Sequence, residues 1–178
     1  MAASEGNRFD VLFVEDDHEV LDLFCHALRG EPFVGEVVCV LSADDAQPIV
    51  SERGFGRPFA VALIDLVIPG KVSAIDLARY IRQTTPDTVI VAFTGYPDRL
   101  FSHAVLEVPF DDFLLKPLPL EKLRQSVWSY CSRFVRRRRL TECLERKETC
   151  YREALDRLRE IEYQTRLMLL ELNEGEGG

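Results

Sequence analysis

Ala60-Val61-Ala62-Leu63-Ile64-Asp65 is five apolar residues closed by a carboxylate. It shows no polar alternation, so both faces must be buried, as in the central strands of parallel sheets. Three other runs share this plan. Phe9-Asp10-Val11-Leu12-Phe13-Val14 leads into Glu15-Asp16-Asp17, Val89-Ile90-Val91-Ala92-Phe93 into Thr94-Gly95, and Phe113-Leu114-Leu115 into Lys116-Pro117. In a parallel α/β sheet the C-terminal strand ends converge on one crevice. This crevice would gather three or four carboxylates, a hydroxyl and an ammonium.

Helical patterns separate the runs. Asp17 suits an N-cap before Val20, Leu21, Phe24 and Leu28, and Gly30 and Pro32 stop that helix. Glu36 to Leu41 reads as a second strand, and Ser42 or Asp44 starts a helix ending near Gly54. A third helix spans 75–83, a short one runs from Pro97 to about Leu106, and Asp111 to Leu115 is the fifth strand. Pro119 fits the first position of a last helix. Strand and helix alternate five times, which predicts a doubly wound parallel sheet.

The 178 residues, 47% hydrophobic and 29% charged, fit one ordinary core with an appendage. No run approaches the ~20 apolar residues a membrane span needs. The first residues lack a signal-peptide pattern, so a cytoplasmic location is expected. The five cysteines, Cys25, Cys39, Cys131, Cys143 and Cys150, form no CxxC pair and are expected to be free thiols rather than a disulfide framework or zinc site. Charge divides unevenly: residues 1–126 carry 11 basic and 20 acidic side chains, net −9, and residues 127–178 carry 11 and 10, net +1. The total of −8 argues against bulk attraction to nucleic acid.

From Leu120 to Leu172 there is neither proline nor glycine. Leu140, Leu144, Lys147, Tyr151, Ala154, Leu158, Ile161, Thr165, Met168 and Leu172 recur at alternating steps of four and three, a coiled-coil seam with Lys147 and Thr165 as weak steps. Glu142/Arg146, Glu148/Arg152, Glu153/Arg157 and Glu162/Arg166 are placed to pair at i,i+4. Such a stripe needs a second copy, another protein, or its own domain to cover it. Arg133 and Arg136-Arg137-Arg138-Arg139 form the one basic cluster. It reads as a solvated or ion-pairing helix face, with a short leucine-zipper-like DNA reader as the alternative. The organisation expected is residues 1–8 disordered, 9–127 one domain, 128–172 a long helix continuing its last element, and 173–178 a flexible tail.

Asp65 is the candidate nucleophile, since a carboxylate can accept a phosphoryl group as an acyl phosphate. Magnesium, which favours six oxygens and keeps several waters, would be bound directly by Asp16 and Asp65 and through water by Glu15. Lys116 would pair with a phosphoryl oxygen, and Thr94 would donate a hydrogen bond to another.

These residues, in this order and with separations of 49, 29 and 22 from Asp16 through Asp65 and Thr94 to Lys116, resemble the receiver domain of two-component response regulators over about residues 8–127. The resemblance implies the strand order 2-1-3-4-5 of the flavodoxin-like receiver, a sensor histidine kinase or phosphotransfer protein as phosphoryl donor, and no enzymatic activity beyond weak self-dephosphorylation. It adds the backbone carbonyl of Val67 to the metal ligands, a switch in which Thr94 moves inward with Phe113, and a cis Lys116-Pro117 bond. Pro69 matches the family, but Val72-Ser73-Ala74 stands where an Asp-Gly turn is usual, and Gly70-Lys71 lengthens the loop. The apolar Val67, with Tyr96, replaces polar side chains that orient hydrolytic water, so slow loss of phosphate is expected.

The readings expected are therefore a phospho-accepting response regulator with a homodimer through the C-terminal helix and an unknown output partner, a DNA-binding regulator using helix residues 133–139, or an unphosphorylated receiver-like scaffold. A haloacid-dehalogenase-type hydrolase would need a second Asp where Val67 stands. His18, His26 and His103 all precede the C-terminal helix, which excludes a histidine-kinase dimerisation or phosphotransfer role for it.

Overall fold

The computed structural model describes residues 8–95 and 110–175, with side chains through residue 166. Five parallel strands, β1 (Phe9–Val14), β2 (Val34–Val40), β3 (Val61–Asp65), β4 (Val89–Thr94) and β5 (Asp112–Leu115), lie in the order β2-β1-β3-β4-β5. The helices are α1 (His18–Arg29), α2 (Ala43–Arg53), α3 (Ala74–Thr84) and a last helix, α4 (Leu120–Gly175). The short helix expected after Pro97 lies outside the described residues. Strand β2 begins two residues earlier than its apolar pattern predicts, because Phe9 of β1 pairs with Val34 and its amide bonds the Phe33 carbonyl at 2.9 Å; at the register shift that follows, the Glu36 amide bonds Asp10 Oδ1 at 2.8 Å.

Successive strand side chains point to opposite faces. Val11, Phe13, Val61, Leu63, Val91 and Phe93 pack against Phe24 and Leu28 of α1 and against Leu123, Val127 and Tyr130 of α4. Leu12, Val14, Ala62, Ile64 and Ile90 pack against Ala46 and Val50 of α2 and Leu77 and Ile81 of α3. The sheet is thus covered on both sides, which explains the uninterrupted hydrophobicity of β3. Each fully buried Leu, Ile or Val contributes roughly 1.5–3 kcal/mol.

Caps fix where the helices begin. Asp17 Oδ1 accepts from the amides of Glu19 and Val20 at 2.9 and 3.3 Å, Ser42 accepts from Asp45, and Ser73 accepts from Asp76. Of the two starts considered for α2, Ser42 is the cap.

The chain divides into two compact units, Met1–Arg137 and Arg138–Gly178, the division falling within α4. In the first, Asp111 is a half-buried anchor. It accepts from the Ile90 amide at 2.8 Å, from Arg82 Nη2 at 2.7 Å, and from Arg137 Nη1 at 2.8 Å with Nη2 on its other oxygen. Arg133 adds a bond to the Asp111 carbonyl at 3.1 Å. Burial alone would raise the Asp111 pKa, but these partners, Arg137 foremost, hold it below the ordinary carboxylate value. In this unit two arginines of the basic cluster serve as ion-pairing residues, Arg137 with Asp111 and Arg133 with Asp112 at 3.8 Å. In the second unit Glu148–Arg152 forms at 3.7 Å as the i,i+4 spacing predicts, whereas Glu142 is engaged by Arg138. Among the described residues no helix is long and apolar enough to cross a membrane.

Cys25 of α1 and Cys39 of β2 are paired as a disulfide, with Cα atoms 7.0 Å apart, at the outer limit of what such a bond spans. This corrects the expectation of free thiols for these two. Their 14-residue separation gave no signal, because the pairing depends on α1 packing beside β2. Cys131 is buried and free, and Cys143 and Cys150 are exposed and free.

Candidate functional site

Strand register assembles the site. Val14 is level with Ile64, so Glu15 and Asp65 leave adjacent strands side by side. Asp65 is level with Phe93, which sets Thr94 one residue further along the next strand. Thr94 is level with Leu115, and its carbonyl accepts from the Lys116 amide at 2.9 Å. Residues distant in sequence therefore share one end of the sheet because parallel pairing keeps strand ends in step.

Lys116 spans the centre. Its stem crosses β4, with Nζ 4.8 Å from the Phe93 ring centroid, and Nζ bonds Glu15 Oε2 at 2.5 Å and Asp65 Oδ2 at 2.6 Å. The other Asp65 oxygen accepts from the Val67 amide at 2.9 Å. Glu15 and Asp65 are buried, at 1% and 6% exposure, whereas Asp16 is exposed. Burial pushes the Glu15 carboxyl above its usual range, and its bond to Lys116 opposes that only in part. Burial also disfavours the Lys116 charge, but the hydrogen bonds to Asp65 and Glu15 outweigh it and raise the lysine pKa.

Carboxylate oxygens of Glu15, Asp16 and Asp65 lie within 4.8 Å of one another. This all-oxygen set, at an end open to solvent through Asp16, fits a hard divalent cation such as magnesium that retains water ligands. Asp17 does not join it, since its carboxylate caps α1. Thr94 is fully buried at the end of β4. Phe113 is on β5 and 37% exposed, its ring 6.0 Å from that of Phe110. Lys116-Pro117 is cis, as the resemblance implied. Tyr96 lies outside the described residues.

Two contributors escaped the sequence reading. Phe93 supplies the surface over which Lys116 reaches. Asp44, at the start of α2, holds the unusual loop after Asp65: its Oδ2 accepts from the amides of Lys71 and Val72 at 2.8 and 3.2 Å. Gly70 has φ +130°, and a Cβ there would meet that oxygen at 2.1 Å, so the loop needs glycine on two counts. The lengthened turn was visible in the sequence. Its partner was not, because 27 residues separate Asp44 from Lys71.

Residues 11–128 match the response regulator receiver domain family, and the chain belongs to it. It is 31% identical over 109 residues to the transcriptional regulatory protein AruR of Pseudomonas aeruginosa, covering 61% of this chain and 43% of that protein. It is 30% identical over 117 residues to a cyclic di-GMP phosphodiesterase of Thermotoga maritima, covering 66% and 29%. The chain thus spans less than half of each of these relatives. A CheY-like receiver domain protein of Methanospirillum hungatei superposes with a TM-score of 0.62 at 21% identity, over 73% of this chain and 98% of that one.

Proposed function

We propose that Asp65 accepts a phosphoryl group from a histidine kinase or phosphotransfer protein and that the signal leaves through α4. The observation that carries this is Lys116 Nζ bound at once to Glu15 and Asp65, with Asp16 beside them. In the transfer, an Asp65 oxygen forms a bond to phosphorus as the phosphorus–nitrogen bond to the donor imidazole breaks in line, and the imidazole leaves with the electron pair. Lys116 neutralises charge on the transferred group, and the Thr94 hydroxyl donates to one of its oxygens. Glu15, Asp16, Asp65 and the Val67 carbonyl would hold magnesium, which supplies further neutralisation of the equatorial oxygens when bound. The Val67 amide fixes one Asp65 oxygen and so orients the other.

In this reading residues 9–127 are a cytoplasmic receiver and 128–172 the output helix, which joins two copies in a homodimer or receives an output partner. Arg133 and Arg137 are occupied by receiver carboxylates, which supports a positioning role over one on nucleic acid. The test is incubation with acetyl phosphate and magnesium. One phosphoryl group, labile to hydroxylamine, is expected on the protein and none on Asp65→Asn. Equal labelling of the two overturns the assignment.

A further inference from the structure

The exposed face of α4 carries more than a tendency to associate. Leu140, Leu144, Tyr151, Leu158 and Ile161 are each more than half exposed, at 61%, 57%, 75%, 61% and 62%. They occupy the two core rows of a heptad, with Leu144, Tyr151 and Leu158 at a positions and Leu140, Lys147, Ala154 and Ile161 at d. In that frame Arg157 is a g position and Glu162 an e position. Among the described residues neither makes an ion pair within the chain, although nearby Arg152–Glu148 and Arg159–Asp156 do.

Two copies of the seam have two ways to pair. Antiparallel, with residues 140–172 overlapping fully, e positions face e and g face g. Glu148 then meets Glu162 of the second copy, and Arg157 meets its own symmetry mate. Shifting by one heptad relieves these like charges, but it leaves two of the ten seam positions unpaired on each chain and creates no ion pair. Parallel and in register, each g position faces the e position five residues on in the other copy. Arg157 then meets Glu162 twice per dimer, and no like-charged g–e pair forms within residues 140–172. The one conflict is Lys147 against itself at d. A polar core residue of that kind costs stability and resists slippage of the register.

We infer that a second copy of this chain covers this face as a parallel, in-register coiled coil, which places the two receivers at the same end of the shared stalk. The inference rests on the homodimer proposed above. Charge complementarity selects the orientation: of the arrangements compared, only the parallel one sets Arg157 against Glu162 of the second copy.

The test is Leu144→Cys in a chain carrying Cys143→Ser and Cys150→Ser, treated with diamide at tens of micromolar, with light scattering on the same sample before oxidation. In the parallel dimer residue 144 lies against its own copy, and a disulfide-linked dimer is expected. In the full-overlap antiparallel dimer the two are 24 residues apart along the axis, about 36 Å at ~1.5 Å per residue, and no link forms. A dimer by scattering without a link overturns the orientation and leaves the homodimer standing, whereas a monomer overturns both. Charge exchange gives a second reading that needs no cysteine. Arg157→Glu alone and Glu162→Arg alone should each raise the dimer dissociation constant roughly fivefold, and the double variant should restore it. Failure of the double variant to restore it also overturns the parallel register.

Discussion

Asp111→Asn should destabilise the receiver by an amount that depends on pH in a way no packing defect would reproduce. The side chain is 9% exposed and takes three charge-assisted contacts from two guanidiniums, together with the Ile90 amide. Asparagine keeps the shape and one acceptor oxygen but leaves Arg82 and Arg137 facing a neutral group. Hydrogen bonds to charged groups contribute about 1.5–3 kcal/mol each, and breaking one side of a buried pair costs about 3–5 kcal/mol. The Arg137 side chain is 34% exposed, so solvent screens its share. The expected loss at pH 7 is about 2–4 kcal/mol. Because the Asp111 pKa is lowered by folding, the stability it adds is complete above the ordinary carboxylate value of about 3.9 and is lost as pH falls through the lowered one. The difference between wild type and variant should therefore be full at pH 7 and shrink towards zero at acid pH. Urea unfolding at fixed protein concentration measures it. The single tryptophan, Trp128, packs edge-to-face against Phe33 with ring centroids 4.9 Å apart and reports the loss of structure. A difference below about 0.5 kcal/mol at pH 7, or one unchanged at pH 3, would refute the account of Asp111 as a charged anchor.

Three further outcomes are expected. Glu15→Gln should weaken magnesium binding about tenfold and Asp16→Asn by more, because Glu15 is already bound to Lys116 while Asp16 is exposed; equal effects in a metal titration would count against these roles. The phosphorylated protein should keep its label for many minutes, since Val67 offers no polar side chain to orient water, and a half-life of seconds by phosphate release would contradict that. Peptide mapping without reductant should recover Cys25 linked to Cys39, and reduction should lower stability by roughly 3 kcal/mol for a loop of about this length; recovery of both as free thiols in freshly prepared protein would disprove the link.

The sequence alone marked the strands, the sheet class and the candidates for the site. Apolar runs such as Val61–Ile64 are legible because burial on both faces is a local property of composition, and a polar residue after each run marks the same end of every strand. Asp65, Glu15, Asp16, Thr94 and Lys116 could be named as candidates on that ground. Tertiary structure decided who touches whom. Glu15 and Asp65, 50 residues apart, meet on one lysine, and Asp16 joins them while Asp17 caps α1 as its place before the helix suggested. The arginines at 133 and 137 look like part of a basic patch until the fold sets them against Asp111 and Asp112. Asp44 meets Lys71, and Cys25 meets Cys39, only after helices dock on the sheet. Burial pattern is written into each segment, but pairing depends on register and packing between segments, and a one-dimensional reading has no access to that distance.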